Sequence, residues 1–163
     1  MRLIFISSII FLLTASGPAM ASQAAHSVLS QQVKTELQGR ARSCQLMTLP
    51  YQQLFADAAS MFEAGQSCAD GVKAMYELRR GKDEALFIQQ RRRVLNALVR
   101  PSIHSKADQA IIAIRYRGTP PGWNSRKHGV SRETYVLKRL AGKWLVDSVV
   151  AKVRPLVAHI AAN

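Results

Sequence analysis

The chain has 163 residues, with 23 lysines and arginines against 10 aspartates and glutamates, and only 2 cysteines. That length fits one domain, or one domain plus a processed end, and is too short for an enzyme with separate cofactor and substrate lobes. At 48% hydrophobic the chain can bury a core, and 2 cysteines exclude a disulfide-dense scaffold and a four-cysteine zinc site. The net charge of +13 speaks for solubility and anionic company and says nothing about the fold.

The chain opens with a pattern typical of export. Arg2 gives one positive charge, Leu3 to Leu13 form a largely apolar run, and Thr14 to Pro18 break it. Ala19-Met20-Ala21 then matches a small-x-small cleavage site. The run is well short of the ~20 residues that span a bilayer, so a secretory signal is the expectation rather than an anchor. The expected mature protein runs from residue 22 to 163 as a single α+β domain, periplasmic or secreted, with no transmembrane segment. In an oxidising compartment Cys44 and Cys68 are most simply one structural disulfide, since a redox pair usually sits closer together, as C-x-x-C.

Residues 22–90 hold seven basic and seven acidic side chains, whereas 91–154 hold fifteen basic and three acidic, a net +12. The first part has helical periodicity. Val28, Leu29, Val33, Leu37 and Ala41 recur at spacings of one helix face. Pro50 fits a first helical turn after Thr48, with Tyr51, Leu54, Phe55, Ala58, Met61 and Phe62 on the following stripe and Gly65 as its end. A third helix is expected from about Ala69 to Arg80, with Val72, Met75 and Leu78 inward and Gly81 as its stop.

The stretch 86–100 mixes helical composition with an alternation of Leu95, Ala97 and Val99 before Pro101; a strand from about Phe87 is expected, because a stable sheet needs three or more strands. Ile111 to Arg117 has β-branched and aromatic residues with Ile112, Ile114 and Tyr116 on one face. Residues 119–130 form a Pro- and Gly-containing loop. Thr134 to Leu140 and Trp144 to Val153 then flank a short turn at Ala141-Gly142-Lys143, the clearest hairpin in the chain, with Tyr135 and Leu137 sharing a face. Helices followed by an antiparallel meander define an α+β domain whose helices cover one sheet face.

The ending Arg132-Glu133-Thr134-Tyr135-Val136-Leu137-Lys138, then Gly142-Lys143-Trp144-Leu145-Val146, resembles the terminal hairpin of the nuclear-transport-factor-2-like superfamily. Small secreted members are similar in their signal peptide, helical first half, Pro-Gly loop and Gly-x-Trp turn. The resemblance implies a cone-like fold with a cavity between helices and a curved sheet. It implies no particular activity, because that superfamily includes enzymes, binding modules and assembly proteins.

No phosphate-binding loop, nucleophile elbow or zinc-protease motif is present, and His26, His104, His128 and His159 are scattered, so no cofactor or metal is expected. Asp57, His104 and Tyr135 are the candidate cavity polar residues, with Asp108 a further acid; no motif of the superfamily matches them residue by residue. Their plainer roles are a solvated helix residue for Asp57, a turn residue for Asp108 and a sheet-packing ring for Tyr135.

The basic part is more informative. Arg115 and Arg117 alternate with Tyr116 and point away from Ile112 and Ile114; Arg91 and Arg93 share a face if their segment is a strand; Arg126 and Lys127 lie in the loop beside Trp123. Such a face can be plain solvated edge protection, a dock for an acidic protein partner in the cell envelope, or a nucleic-acid surface. Export and the shortage of stacking aromatics argue against nucleic acid. The expected function is a non-enzymatic binding or assembly module that meets an acidic partner through this basic sheet face. The alternative is a cavity enzyme or small-ligand binder of the same fold.

Overall fold

The computed structural model describes residues 18–81, 83–121 and 129–155. Over these residues helices come first and a four-stranded antiparallel sheet follows, an α+β arrangement with one disulfide. The helical part comprises α1 (Pro18–Glu36), a 3-10 helix (Ala41–Leu46), α2 (Leu49–Met61), α3 (Cys68–Arg80) and α4 (Glu84–Ala97). The expected cleavage point after Ala21 falls at the end of the first turn of α1, and the apolar run before it lies outside the described residues. No described helix is long and apolar enough to cross a membrane.

The helix starts follow from local chemistry. Pro50 lies in the first turn of α2, where its missing N–H has no helical acceptor to lose. The Thr48 hydroxyl, rather than capping α2, donates to Asp147 Oδ1 at 3.0 Å and ties that helix to the sheet. α3 opens on a reciprocal capping box, with Ser67 Oγ accepting from the Asp70 N–H and the Asp70 carboxylate accepting from the Ser67 N–H, both at 3.2 Å. Hydrogen bonds from the Ser67 hydroxyl, then from its backbone, hold the Asp70 carboxyl below the usual carboxylate range. Cys68, the first residue of α3, is joined to Cys44 in the 3-10 helix across a sequence separation of 24. Closing a loop of that size stabilises the fold by ~3–4 kcal/mol in the chain-entropy treatment. Gly71 lets α2 and α3 touch, since a Cβ there would lie 1.8 Å from the Phe55 carbonyl oxygen.

The expected strand from about Phe87 is instead helical, part of α4, which runs as far as Ala97. The Asp83 carboxylate accepts from the Leu86 N–H at 2.9 Å and caps α4. Phe87, Gln90, Val94 and Leu98 are buried at spacings of one helix face, while Val99, part of the alternating set, is 72% exposed. The helical stripes also shift from expectation. Ala41 lies beyond α1, in the 3-10 helix, and the buried stripe of α2 is Tyr51, Phe55 and Ala59. Leu54 and Met61 are 60% and 81% exposed, and Leu78 on α3 is 54% exposed instead of inward. α2 ends at Met61, four residues before Gly65.

The strands are β1 (Ser102–Lys106), β2 (Gln109–Arg117), β3 (Gly129–Leu140) and β4 (Lys143–Pro155), joined as a meander in the order β1-β2-β3-β4. β1, which the sequence reading passes over, supplies the strand assigned there to Phe87. Ala110, Ile112, Ile114 and Tyr116 on β2 alternate inward with Tyr135 and Leu137 on β3. Leu29 and Val33 of α1, Phe55 of α2 and Val94 of α4 join these residues in one core. Each fully buried aliphatic side chain of this kind contributes ~1.5–3 kcal/mol relative to exposure. The helices thus cover one face of the sheet and leave the other open.

Candidate functional site

Two places gather polar chemistry: the open face of the sheet and a cavity under the helices. On the open face, register places Arg115 of β2 opposite Arg132 of β3, and Arg132 opposite Lys152 of β4. The next row on that face is Arg117, Val130 and Arg154. A strand spacing of about 4.8 Å sets the first three cations across roughly 10 Å. Arg115, Arg117, Arg132, Lys152 and Arg154 are all exposed, and none has an ion-pair partner among the described residues. Arg100, Arg115 and Arg132 also border one depression of about 380 Å³ together with Ser102. Asp147 on β4 is already matched by Lys138 Nζ at 2.9 Å.

The other expected members of this face are elsewhere. Arg91 and Arg93 stand on α4, about 200° apart around its axis, so they share no face. α4 packs on the covered side of the sheet, and Arg93 lies over the end of β2, where a Cβ on Gly118 would be 2.2 Å from its Nη1. Arg126 and Lys127 lie outside the described residues.

The cavity, of about 330 Å³, lies between the helices and the sheet. Val33, Leu37, Met75 and Val94 give it apolar walls, and the exposed Leu78 of α3 and Val149 and Ala151 of β4 also line it. Its polar lining is Glu36, Arg79, Glu133, Tyr51 and Tyr135. Arg79 Nη1 donates to Glu36 Oε1 at 2.5 Å, and Gln32 Nε2 donates to Glu36 Oε2 at 2.6 Å. Burial works against the charged guanidinium, but the Glu36 carboxylate outweighs it through charge and hydrogen bond and holds the Arg79 pKa above its ordinary value. Glu133, only 6% exposed, accepts the Tyr116 hydroxyl on one carboxylate oxygen and the Tyr135 hydroxyl on the other. Burial first, then the Glu133 carboxylate, pushes the Tyr116 and Tyr135 hydroxyls well above the ordinary tyrosine pKa. Burial and then Glu36 do the same for Tyr51.

Of the expected cavity residues, only Tyr135 is in the cavity. Asp57 is exposed on α2 and accepts from Gln53 Nε2 at 2.8 Å, its plain solvated role. His104 is exposed on β1, opposite Ile111 on the open face. Asp108 forms the β1–β2 turn, and its carbonyl accepts from the Arg139 N–H at 2.7 Å. The sequence reading placed Tyr116 inward only as a packing residue and did not single out Glu36, Arg79 or Glu133 as site residues, although the positions of these three carry a signal. Glu36 follows Leu29 by seven and Val33 by three, Arg79 follows Val72 by seven, and Glu133 precedes Tyr135 by two. Each charge occupies a position where the local period calls for an inward apolar residue.

Compared with known proteins, the chain matches no family model, no curated protein and no solved structure.

Proposed function

We propose that this chain is an exported, non-enzymatic binding or assembly module of the bacterial periplasm, on a fold of nuclear-transport-factor-2-like type, that meets an acidic protein partner through the open face of its sheet. The observation that carries this reading is the row Arg115, Arg132 and Lys152. Like charges placed directly opposite on neighbouring strands destabilise a sheet, by up to ~1 kcal/mol per pair. Solubility alone gains nothing from that placement, because the same charges dispersed over the surface would solvate equally well. A carboxylate-rich partner removes the repulsion on binding, and guanidiniums aligned this way suit bidentate contact with its side chains. The leader-like sequence before Ser22 and the disulfide both fit an oxidising compartment.

The test is capture from crosslinked cell envelopes with tagged protein at low and high salt. Wild type should retain a discrete acidic partner that salt releases, and charge reversal at Arg115 and Arg117 should abolish capture while thermal unfolding stays cooperative. The same partner held equally by the reversed variant would overturn the reading.

The cavity favours a second reading, a small-ligand binder or cavity enzyme of the same fold. Its support is the buried Glu133, held by two tyrosines inside an apolar wall.

A further inference from the structure

We infer that the cavity binds a small organic cation, a protonated amine on an apolar body, with Glu133 as its counter-ion. The inference builds on the cavity reading and is independent of the basic sheet face.

The charges lining the cavity do not balance. Glu36 and Glu133 stand against Arg79, and Arg79 is committed to Glu36 by the 2.5 Å bond. Glu133 has no lysine, arginine or histidine within ion-pair distance among the described residues. Its partners are hydroxyls, which hydrogen-bond a carboxylate without neutralising it. A carboxylate offers about four acceptor sites, and the two tyrosines use one on each oxygen. A buried carboxylate without counter-charge is costly, so a cation arriving there is favoured by the cost it removes.

The surroundings define the rest of the ligand. The rings of Tyr51 and Tyr135 line the same space, and aromatic faces attract ammonium groups. Val33, Leu37 and Met75 offer apolar wall to a hydrocarbon body, and 330 Å³ is at the small end of ligand pockets. An anion fits poorly, because the guanidinium it would need is already matched. The molecule's +13 charge repels cations at long range, so apolar burial has to supply much of the affinity. Salt screens that repulsion, so amine binding should hold or strengthen as salt rises.

The probes are phenethylamine, phenylethanol and phenylacetate, which share a ring and differ in charge. Each is titrated into isotope-labelled wild-type protein while amide shifts are followed. Phenethylamine should bind at least ~10-fold more tightly than the alcohol, with shifts centred on Val33, Glu133 and Tyr135, and phenylacetate should bind most weakly. Glu133→Gln should reduce amine affinity to the level of the alcohol and leave the alcohol unaffected. Equal binding of all three, or preference for the alcohol or the acid, would overturn the cation class while keeping a ligand cavity. No cavity shifts with any probe would overturn the cavity reading as well. The wild-type series decides the matter even if Glu133→Gln fails to fold.

Discussion

Glu133 holds its two tyrosines at the junction of sheet and helices, and the consequence can be measured without any ligand. Tyr51, Tyr116 and Tyr135 all have pKa values raised by burial first, and then by a neighbouring carboxylate. Each therefore keeps its proton in the folded chain at a pH where the unfolded chain has lost it. Their contribution is complete below the unfolded pKa of about 10 and is lost as pH rises from there toward the folded values. With three such groups the loss approaches ~4 kcal/mol per pH unit above pH 10. Stability against denaturant should fall steeply over that range, and most tyrosinate absorbance should appear together with unfolding. Tyrosinate signal from these three rings in a still-folded protein would contradict the burial described here. The same residues show why the cavity escapes a reading of sequence. Alternation puts Glu133 on the inward face of Tyr135, but a buried carboxylate needs donors, and the Tyr116 hydroxyl reaches it only because β2 pairs with β3.

Among the elements, β2 and the β3–β4 hairpin were legible because their information is local: strict alternation, β-branched residues and a glycine turn. In that turn both Ala141 and Gly142 have positive φ, at 47° and 80°, as a two-residue hairpin with the sheet's own twist requires. Alanine is strained there and asparagine tolerates the conformation, so Ala141→Asn should stabilise the domain by ~0.5–1 kcal/mol. That corresponds to a rise of ~2–4 °C in Tm, readable by calorimetry. A lowered Tm would show that the turn adopts another conformation in solution. Elements whose pattern is completed at a distance were harder to read. One inward position of α4 is Gln90, whose amide donates to Thr119 Oγ1 at 2.9 Å from 29 residues along the chain. Without that partner Gln90 looks outward-facing, and the alternation of Leu95, Ala97 and Val99 dominates. β1 is short and polar, with only Ile103 and Ser105 half-buried, so its pairing with β2 rather than its composition makes it a strand.

For the whole molecule, the uneven distribution of charge along the sequence becomes an uneven distribution in space only in part. The run Arg91-Arg92-Arg93 goes to a helix on the covered side, whereas Arg132 and Lys152 join Arg115 on the open face. Alternation made the outward direction of Arg115 and Arg117 legible, but not the row itself. Which residues stand opposite one another depends on register across the β2–β3 connection, and composition leaves that unspecified. The outcome is a sheet with its apolar face closed by helices and its other face left cationic, at a cost in cross-strand repulsion. Arg132 is central to that cost, because it has a like charge on each side. Reversing it replaces two repulsive pairs with two attractive ones, worth ~0.2–1 kcal/mol each, while dividing the cationic row. The most direct measurement is therefore a calorimetric titration of the protein with poly-glutamate at low and high salt, for wild type and Arg132→Glu, with the Tm of each recorded. Wild type should bind with an affinity that falls as salt rises, and Arg132→Glu should lose that binding while melting at a higher temperature. Undiminished binding by the variant, or no binding by wild type at low salt, would contradict a partner-docking role for the open face.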